Sequence, residues 1–103
     1  MQTILFVRVH SPLDAEELER RIAERRPRFL EVPGLVQKIY GQDPDTGYFC
    51  GIYFFEDRES MLQFRDSELA KTIPVAYEAD EVRPEVYELM FPLRSERGPF
   101  QVD

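Results

Sequence analysis

The chain is short of the residues that most often carry chemistry: of its 103 residues one is histidine, one is cysteine, and none is tryptophan or asparagine. A metal centre needs several soft or borderline ligands in convergence, and His10 and Cys50 on separate strands do not supply that. A single cysteine excludes an intrachain disulfide. Cys50 falls in an apolar stretch where a thiol acts as a small apolar side chain, so a reducing cytoplasm is the expected compartment. Cationic charge is scarce too, with 13 Lys and Arg against 20 Asp and Glu and a net charge of −7. Nucleic acid and anionic membrane surfaces need clustered positive charge, so neither is an expected partner. No apolar run approaches membrane-spanning length, and the start MQTILFVRV is too short for a signal-peptide core and carries Arg8. Of the five glycines, Gly47 reads as a turn residue and Gly51 as a strand residue. With no glycine-rich phosphate cradle, no nucleotide is expected, and no other cofactor or metal.

What the chain does have is an aromatic hairpin. Residues 34–42 are rich in apolar and β-branched side chains, Asp43-Pro44-Asp45-Thr46-Gly47 has the chemistry of a turn, and residues 48–56 are strongly aromatic. Phe49, Tyr53 and Phe55 share one side of the second strand, while Tyr48, Cys50, Ile52 and Phe54 share the other. Both faces need cover. The chain's own helices can supply one, and a second subunit is expected to supply the other.

The remaining elements follow in order. Thr3 to Val9 reads as a first strand, with Arg8 and His10 on one face. A helix begins at Ser11-Pro12 or at Asp14 with Glu17 and runs to about Arg26, with Ala15, Leu18 and Ile22 as its buried stripe and its charged run as a solvated face. Pro27 is expected to break or kink it, with Phe29 and Leu30 packing inward from a further turn. Asp57 caps a second helix carrying Met61, Leu62, Phe64 and Leu69, and Pro74 interrupts the segment that follows. The last strand is expected over 85–91, bracketed by Pro84 and Pro92. The order β-α-β-β-α-β is the split βαβ arrangement, an α+β fold with a four-stranded antiparallel sheet and helices on one face. One domain is expected over 1–93, followed by a polar C-terminal tail over 94–103, either loose or docked on a partner.

The stretch PGLVQKIYGQDPDTGYFCGIYFFED, followed by ESMLQF, resembles the mono-oxygenase YdhR family of dimeric α+β barrel proteins, which are ferredoxin-like. The resemblance rests on Pro33-Gly34 opening the strand, Lys38 two residues before Tyr40, and Gly51-Ile52-Tyr53 leading to Phe55 and an acidic helix start. It implies a homodimer with sheets packed face to face and a small-molecule pocket in each subunit between sheet and helices. The family often has tryptophans flanking the lysine, where this chain has Gln37 and Tyr40. Haem-degrading relatives of the fold look to use an Asn, a Trp and a helical His, none of which this chain has, so haem degradation is not expected.

Among the residues themselves, His10 is the best candidate for a general base, because its ordinary pKa lies near neutrality; it would fit a surface loop equally well. Arg8 and Lys38 could hold an anionic substrate, or stand exposed or salt-bridged. Tyr40, Tyr53 and Tyr87 could offer hydroxyl donors, or simply pack. Gly51 could leave room for a ligand ring or mark a bulge. Phe6, Phe55, Phe64 and Tyr53 would wall the cavity. The resulting expectation is a cofactor-independent mono-oxygenase acting on an aromatic, quinol-like or polyketide-like small molecule. A cyclase or isomerase on a similar substrate, or a non-catalytic binding or assembly module, would use the same residues.

Overall fold

The computed structural model describes residues 2–98 and Phe100. Its elements are β1 (Thr3–His10), α1 (Ala15–Leu30), β2 (Leu35–Gln42), β3 (Tyr48–Phe55), α2 (Arg58–Arg65), α3 (Glu68–Lys71), α4 (Ile73–Ala76) and β4 (Glu81–Glu88). The strands form one sheet in the order β2-β3-β1-β4, and all neighbours are antiparallel. β1 pairs with β3 through Leu5–Tyr53, Val7–Gly51 and Val9–Phe49. These residues are buried beneath the helices with Phe55, Leu18, Phe29, Met61, Phe64, Leu69, Ile73 and Tyr77. Each fully buried side chain of this kind contributes roughly 1.5–3 kcal/mol relative to exposure.

Local chemistry explains most element boundaries. The Asp14 side chain accepts from the Glu17 N–H (2.9 Å) and caps α1, while Asp57 accepts from Ser60 N–H (2.8 Å) and caps α2. Ser11 is buried and does something else: its hydroxyl donates to the Tyr77 carbonyl at 2.7 Å and ties the end of β1 to α4. In the hairpin, the Asp45 N–H donates to Asp43 Oδ1 (2.9 Å), and Gly47 takes the left-handed conformation with φ of 80°.

Five local expectations differ from the structure. α1 continues through Pro27 to Leu30, with Pro27 exposed, so the ring meets solvent and the missing N–H costs one bond near the end of the helix. Phe29 is buried but Leu30 is 75% exposed, and Ala15 is exposed in the first turn. The charged run on α1 is not wholly solvated either, as the site below shows. β4 starts at Glu81, so Pro84 lies inside it and not before it. The Leu89 N–H donates to the Gln2 carbonyl at 2.9 Å, and antiparallel alternation then makes Val7–Pro84 a pair that exchanges no hydrogen bonds. The edge strand thereby turns the missing donor of Pro84 outward, where a proline is tolerated. The interrupted segment after α2 is indeed two single turns, α3 and α4, with Pro74 in the first turn of α4.

The sheet face away from the helices carries Ile4, Phe6, Ile39, Ile52 and Phe54, all half-buried. The described part of the tail lies over one end of it: Gln37 Nε2 donates to the Phe100 carbonyl (2.6 Å). Pro99 and 101–103, part of the expected tail, fall outside the described residues.

Candidate active site

A single extra residue in β2 determines which side chains meet. Leu35 pairs with Phe55, but Gln37 pairs with Phe54, so Val36 is bulged out of register. The side-chain parity of β2 reverses at that point. Leu35 faces the helices and so do Lys38 and Tyr40, which pair with Tyr53 and Gly51. Without the bulge, Gln37 and Ile39 would face inward and Lys38 would point to the open face.

Lys38 therefore runs beneath α1, where Nζ lies 3.6 Å from the ring centroid of Phe29, 4.3 Å from Tyr40 and 4.5 Å from Tyr53. Gly51 makes this possible. A Cβ there would sit 3.0 Å from Lys38 Cε and 3.2 Å from the Tyr53 ring, so the strand glycine accommodates the lysine, and the bulge belongs to β2. Burial, reinforced by the Arg25 guanidinium, pushes the Lys38 amine down to about 7. The three ring faces act in the opposite sense by favouring the ammonium. No carboxylate pairs with Lys38 among the described residues. Burial likewise raises the neighbouring phenols, Tyr40 to about 12 and Tyr53 beyond the usual tyrosine range.

The roof of this site comes from α1 and the α3–α4 segment. Arg25 Nη2 donates to the Leu69 carbonyl (2.9 Å) and the Thr72 hydroxyl (3.3 Å), and its guanidinium lies over Phe29 and Tyr77. Arg21 pairs with Glu78 (2.8 Å) and donates to the Ala76 carbonyl (3.2 Å). Tyr77 is buried, and burial raises its pKa against the opposing pull of the nearby Arg25 guanidinium; no group among the described residues, Arg25 included, meets its hydroxyl with good hydrogen-bond geometry. Beneath the roof is a cavity of about 10 Å³ between Lys38, Tyr40, Gly51, Tyr53 and Tyr77. Phe64 and Phe55 back it, with ring centroids 4.9 Å and 6.1 Å from Tyr53. Tyr40, 39% exposed on the edge strand β2, marks its mouth.

The other expected site residues lie across the sheet. Phe6, Arg8 and His10 alternate with the buried residues of β1 and face away from the helices, as does Tyr87, whose hydroxyl donates to Glu85 Oε2 (2.8 Å). Phe6 and Arg8 border a groove of about 390 Å³ with Tyr48 and Cys50. His10 does not join Lys38 in the sheet–helix cavity. Its Nε2 contacts the Thr46 carbonyl (3.1 Å) and its Nδ1 the Asp80 carboxylate (2.8 Å), with Tyr48 edge-on at 4.7 Å. Both partners are acceptors, so both ring nitrogens are best satisfied as donors, and the Asp80 bond raises the histidine pKa. With both ring nitrogens engaged, the imidazole ties the end of β1 to the hairpin turn and to the residue before β4, on the far side of the sheet from Lys38.

Neither Arg25 nor Tyr77 stands out in the sequence as a site residue, and Phe29 reads there only as an inward-packing side chain. A signal was present: Leu18, Ile22, Arg25 and Phe29 share one helical stripe, so Arg25 stands where an apolar residue is expected. Tyr77 likewise continues the spacing of Leu69 and Ile73. Among the described residues no three His, Cys, Asp or Glu side chains gather as a metal would require.

A four-stranded antiparallel sheet in this order, with helices on one face and a polar–aromatic site between the layers, defines a ferredoxin-like α+β protein. The chain belongs to the family described as "Putative mono-oxygenase ydhR", which matches residues 4–96. That span contains the hairpin on which the resemblance rested. Among curated proteins, none matches the chain significantly. Solved structures share the fold at low identity. SnoaB, a cofactor-independent oxygenase from Streptomyces nogalater, is 14% identical with a TM-score of 0.74, over 91% of this chain and 98% of its own. A protein described as a "putative antibiotic biosynthesis monooxygenase" from Deinococcus radiodurans is 11% identical with a TM-score of 0.70, over 91% and 97%. A similarly described protein from Nitrosomonas europaea is 14% identical with a TM-score of 0.71, over 88% and 92%. No helix among the described residues is long and apolar enough to cross a membrane.

Proposed function

We propose that the protein is a cofactor-independent mono-oxygenase for electron-rich aromatic compounds of the quinol or polyketide type, with Lys38 as its base. The observation that carries this reading is the Lys38 amine set among Phe29, Tyr40 and Tyr53 with its pKa lowered to about 7. A substantial fraction of that amine is neutral at physiological pH and able to accept the proton of a phenol or enol, and the ammonium it becomes stays to pair with the anion. The Tyr40, Tyr53 and Tyr77 hydroxyls, their pKa values raised, remain neutral donors to the same charge. The anion passes electrons to molecular oxygen. One oxygen atom ends in a new carbon–oxygen bond on the ring, the other leaves as water with the hydrogens of the quinol, and the product is a hydroxyquinone.

The same reading includes a homodimer and a cytoplasmic setting, the latter resting on the lone Cys50. The apolar residues Ile4, Phe6, Ile39, Ile52 and Phe54 cover one face of the sheet, and exposed apolar area costs about 25 cal/mol per Å². A second copy packed face to face would cover it. The substrate enters at the β2 edge beside Tyr40.

Oxygen consumption with a panel of benzo- and naphthohydroquinones tests the proposal. Uptake above the enzyme-free rate, with one atom of labelled oxygen in the product and loss of uptake in Lys38→Met, is expected. Uptake that yields only hydrogen peroxide, or that persists unchanged in Lys38→Met, would rule it out.

A further inference from the structure

Lysine is rare in this chain, and its two copies are in opposite environments. Lys71 is exposed on α3, whereas Lys38 is mostly buried, lies on three ring faces, and has neither a carboxylate partner nor a hydrogen bond among the described residues. Two conditions turn a lysine into a nucleophile: withdrawal from water into an apolar pocket, and a second cation nearby. Lys38 meets both, the cation being Arg25. The cavity at the amine has the volume of about one water molecule, and Tyr77 brings to it a buried hydroxyl with no partner among the described residues. A space of that size admits the carbonyl end of a ligand while the rest of it stays at the mouth beside Tyr40.

We propose that Lys38 also forms covalent imines, condensing with aldehydes and 1,3-dicarbonyl compounds whose carbonyl group enters the cavity beside Tyr77 and Gly51. The nitrogen lone pair attacks the carbonyl carbon and the C=O π pair moves to oxygen, which takes up a proton. The carbinolamine then loses water to give the C=N bond. The proton for the departing oxygen is assigned to the Tyr77 hydroxyl, because Tyr77 lines the same cavity as Lys38. With a 1,3-diketone the imine rearranges to an enaminone, with no change of oxidation state and no co-reactant. This deepens the proposed function, since it rests on that reading for the entry of substrate beside Lys38 and adds ketones to the substrate class. The enamine tautomer of such an adduct is itself an electron-rich carbon.

Acetylacetone is the probe, incubated with the full chain under nitrogen and followed by enaminone absorbance, intact mass and peptide mapping. The expected result among the lysines is an adduct, with loss of one water, on Lys38, formed roughly ten-fold or more faster than on Lys71 because the desolvated amine is neutral at lower pH, and peptide mapping separates it from any label on the α-amino group. Lys71→Arg retains the adduct, and a folded Lys38→Met lacks it. Equal labelling of the two lysines, a Lys38 adduct no faster than that of a free amine, or labelling unchanged in Lys38→Met would overturn the inference. The adduct without oxygen uptake on quinols leaves the imine standing and removes the oxygenase. Oxygen uptake without the adduct removes the imine and leaves Lys38 a base.

Discussion

Lys38 Nζ lies 3.6 Å from the centroid of the Phe29 ring, on the apolar stripe of α1, and the positive charge of the Arg25 guanidinium acts on the same amine. A cation so placed makes stability depend on pH. The unfolded lysine titrates near 10.4 and the folded one at about 7, so between these values the unfolded chain binds more protons. This contribution makes stability rise with pH from about 7 towards 10.4, and it is at its lowest below 7. Lys38→Met is expected to raise the melting temperature most at and below pH 7, with a gain of ~1–4 kcal/mol that shrinks towards pH 10. Thermal melts of both proteins at pH 6, 8 and 10 check the sign.

His10 has the opposite dependence. Its pKa is raised chiefly by the Asp80 bond, so its contribution is fully present below the unfolded value of about 6.5 and is lost as pH rises through the folded value. His10→Ala is expected to lower the melting temperature at pH 6 and to have a smaller effect at pH 9. It should leave the pH profile of oxygen uptake in place, because His10 faces away from Lys38. A profile that loses its inflection in His10→Ala would return the histidine to the role of base.

Gly51→Ala tests the packing of the site. The new Cβ would meet Lys38 Cε at 3.0 Å and the Tyr53 ring at 3.2 Å, and the stacked core leaves the tyrosine less room to shift than the lysine. Overpacking of this order costs about 1–3 kcal/mol. The variant is expected to fold with a modestly lower melting temperature, to expel the amine from its ring contacts, and to lose most oxygen uptake.

Phe54 is half-buried on the open face, beside Gln37 and the tail, and no helix covers it. Phe54→Asp is expected to leave circular dichroism and monomer folding intact while shifting sedimentation from the proposed dimer to monomer, because an unpaired carboxylate cannot be buried cheaply between two sheets. Unfolding in place of dissociation would mean that the tail and this face form part of the monomer core.

Much of the architecture was legible without coordinates because it depends on near neighbours. The alternation of Phe49, Tyr53 and Phe55 against Cys50, Ile52 and Phe54 assigned both faces of β3, and Asp14, Asp57 and the Asp43–Gly47 turn marked where elements begin and reverse. Even the break at Pro74 follows from a missing N–H. The site was legible only in part, since Lys38, Tyr40 and Tyr53 were singled out but His10 was placed with them. That grouping depends on register. One bulged residue, Val36, turns Lys38 inward, while β1 runs without a bulge from Thr3 and keeps Arg8 and His10 outside. Arg25 and Tyr77 lie 52 residues apart in the chain and meet only when α1 and α4 pack over one sheet. Sequence determined the pattern along each strand and helix, because alternation, caps and turns are set by residues a few positions apart. Tertiary structure decided which of those patterns face one another, because a one-residue shift in pairing reverses every side chain beyond it at little local cost.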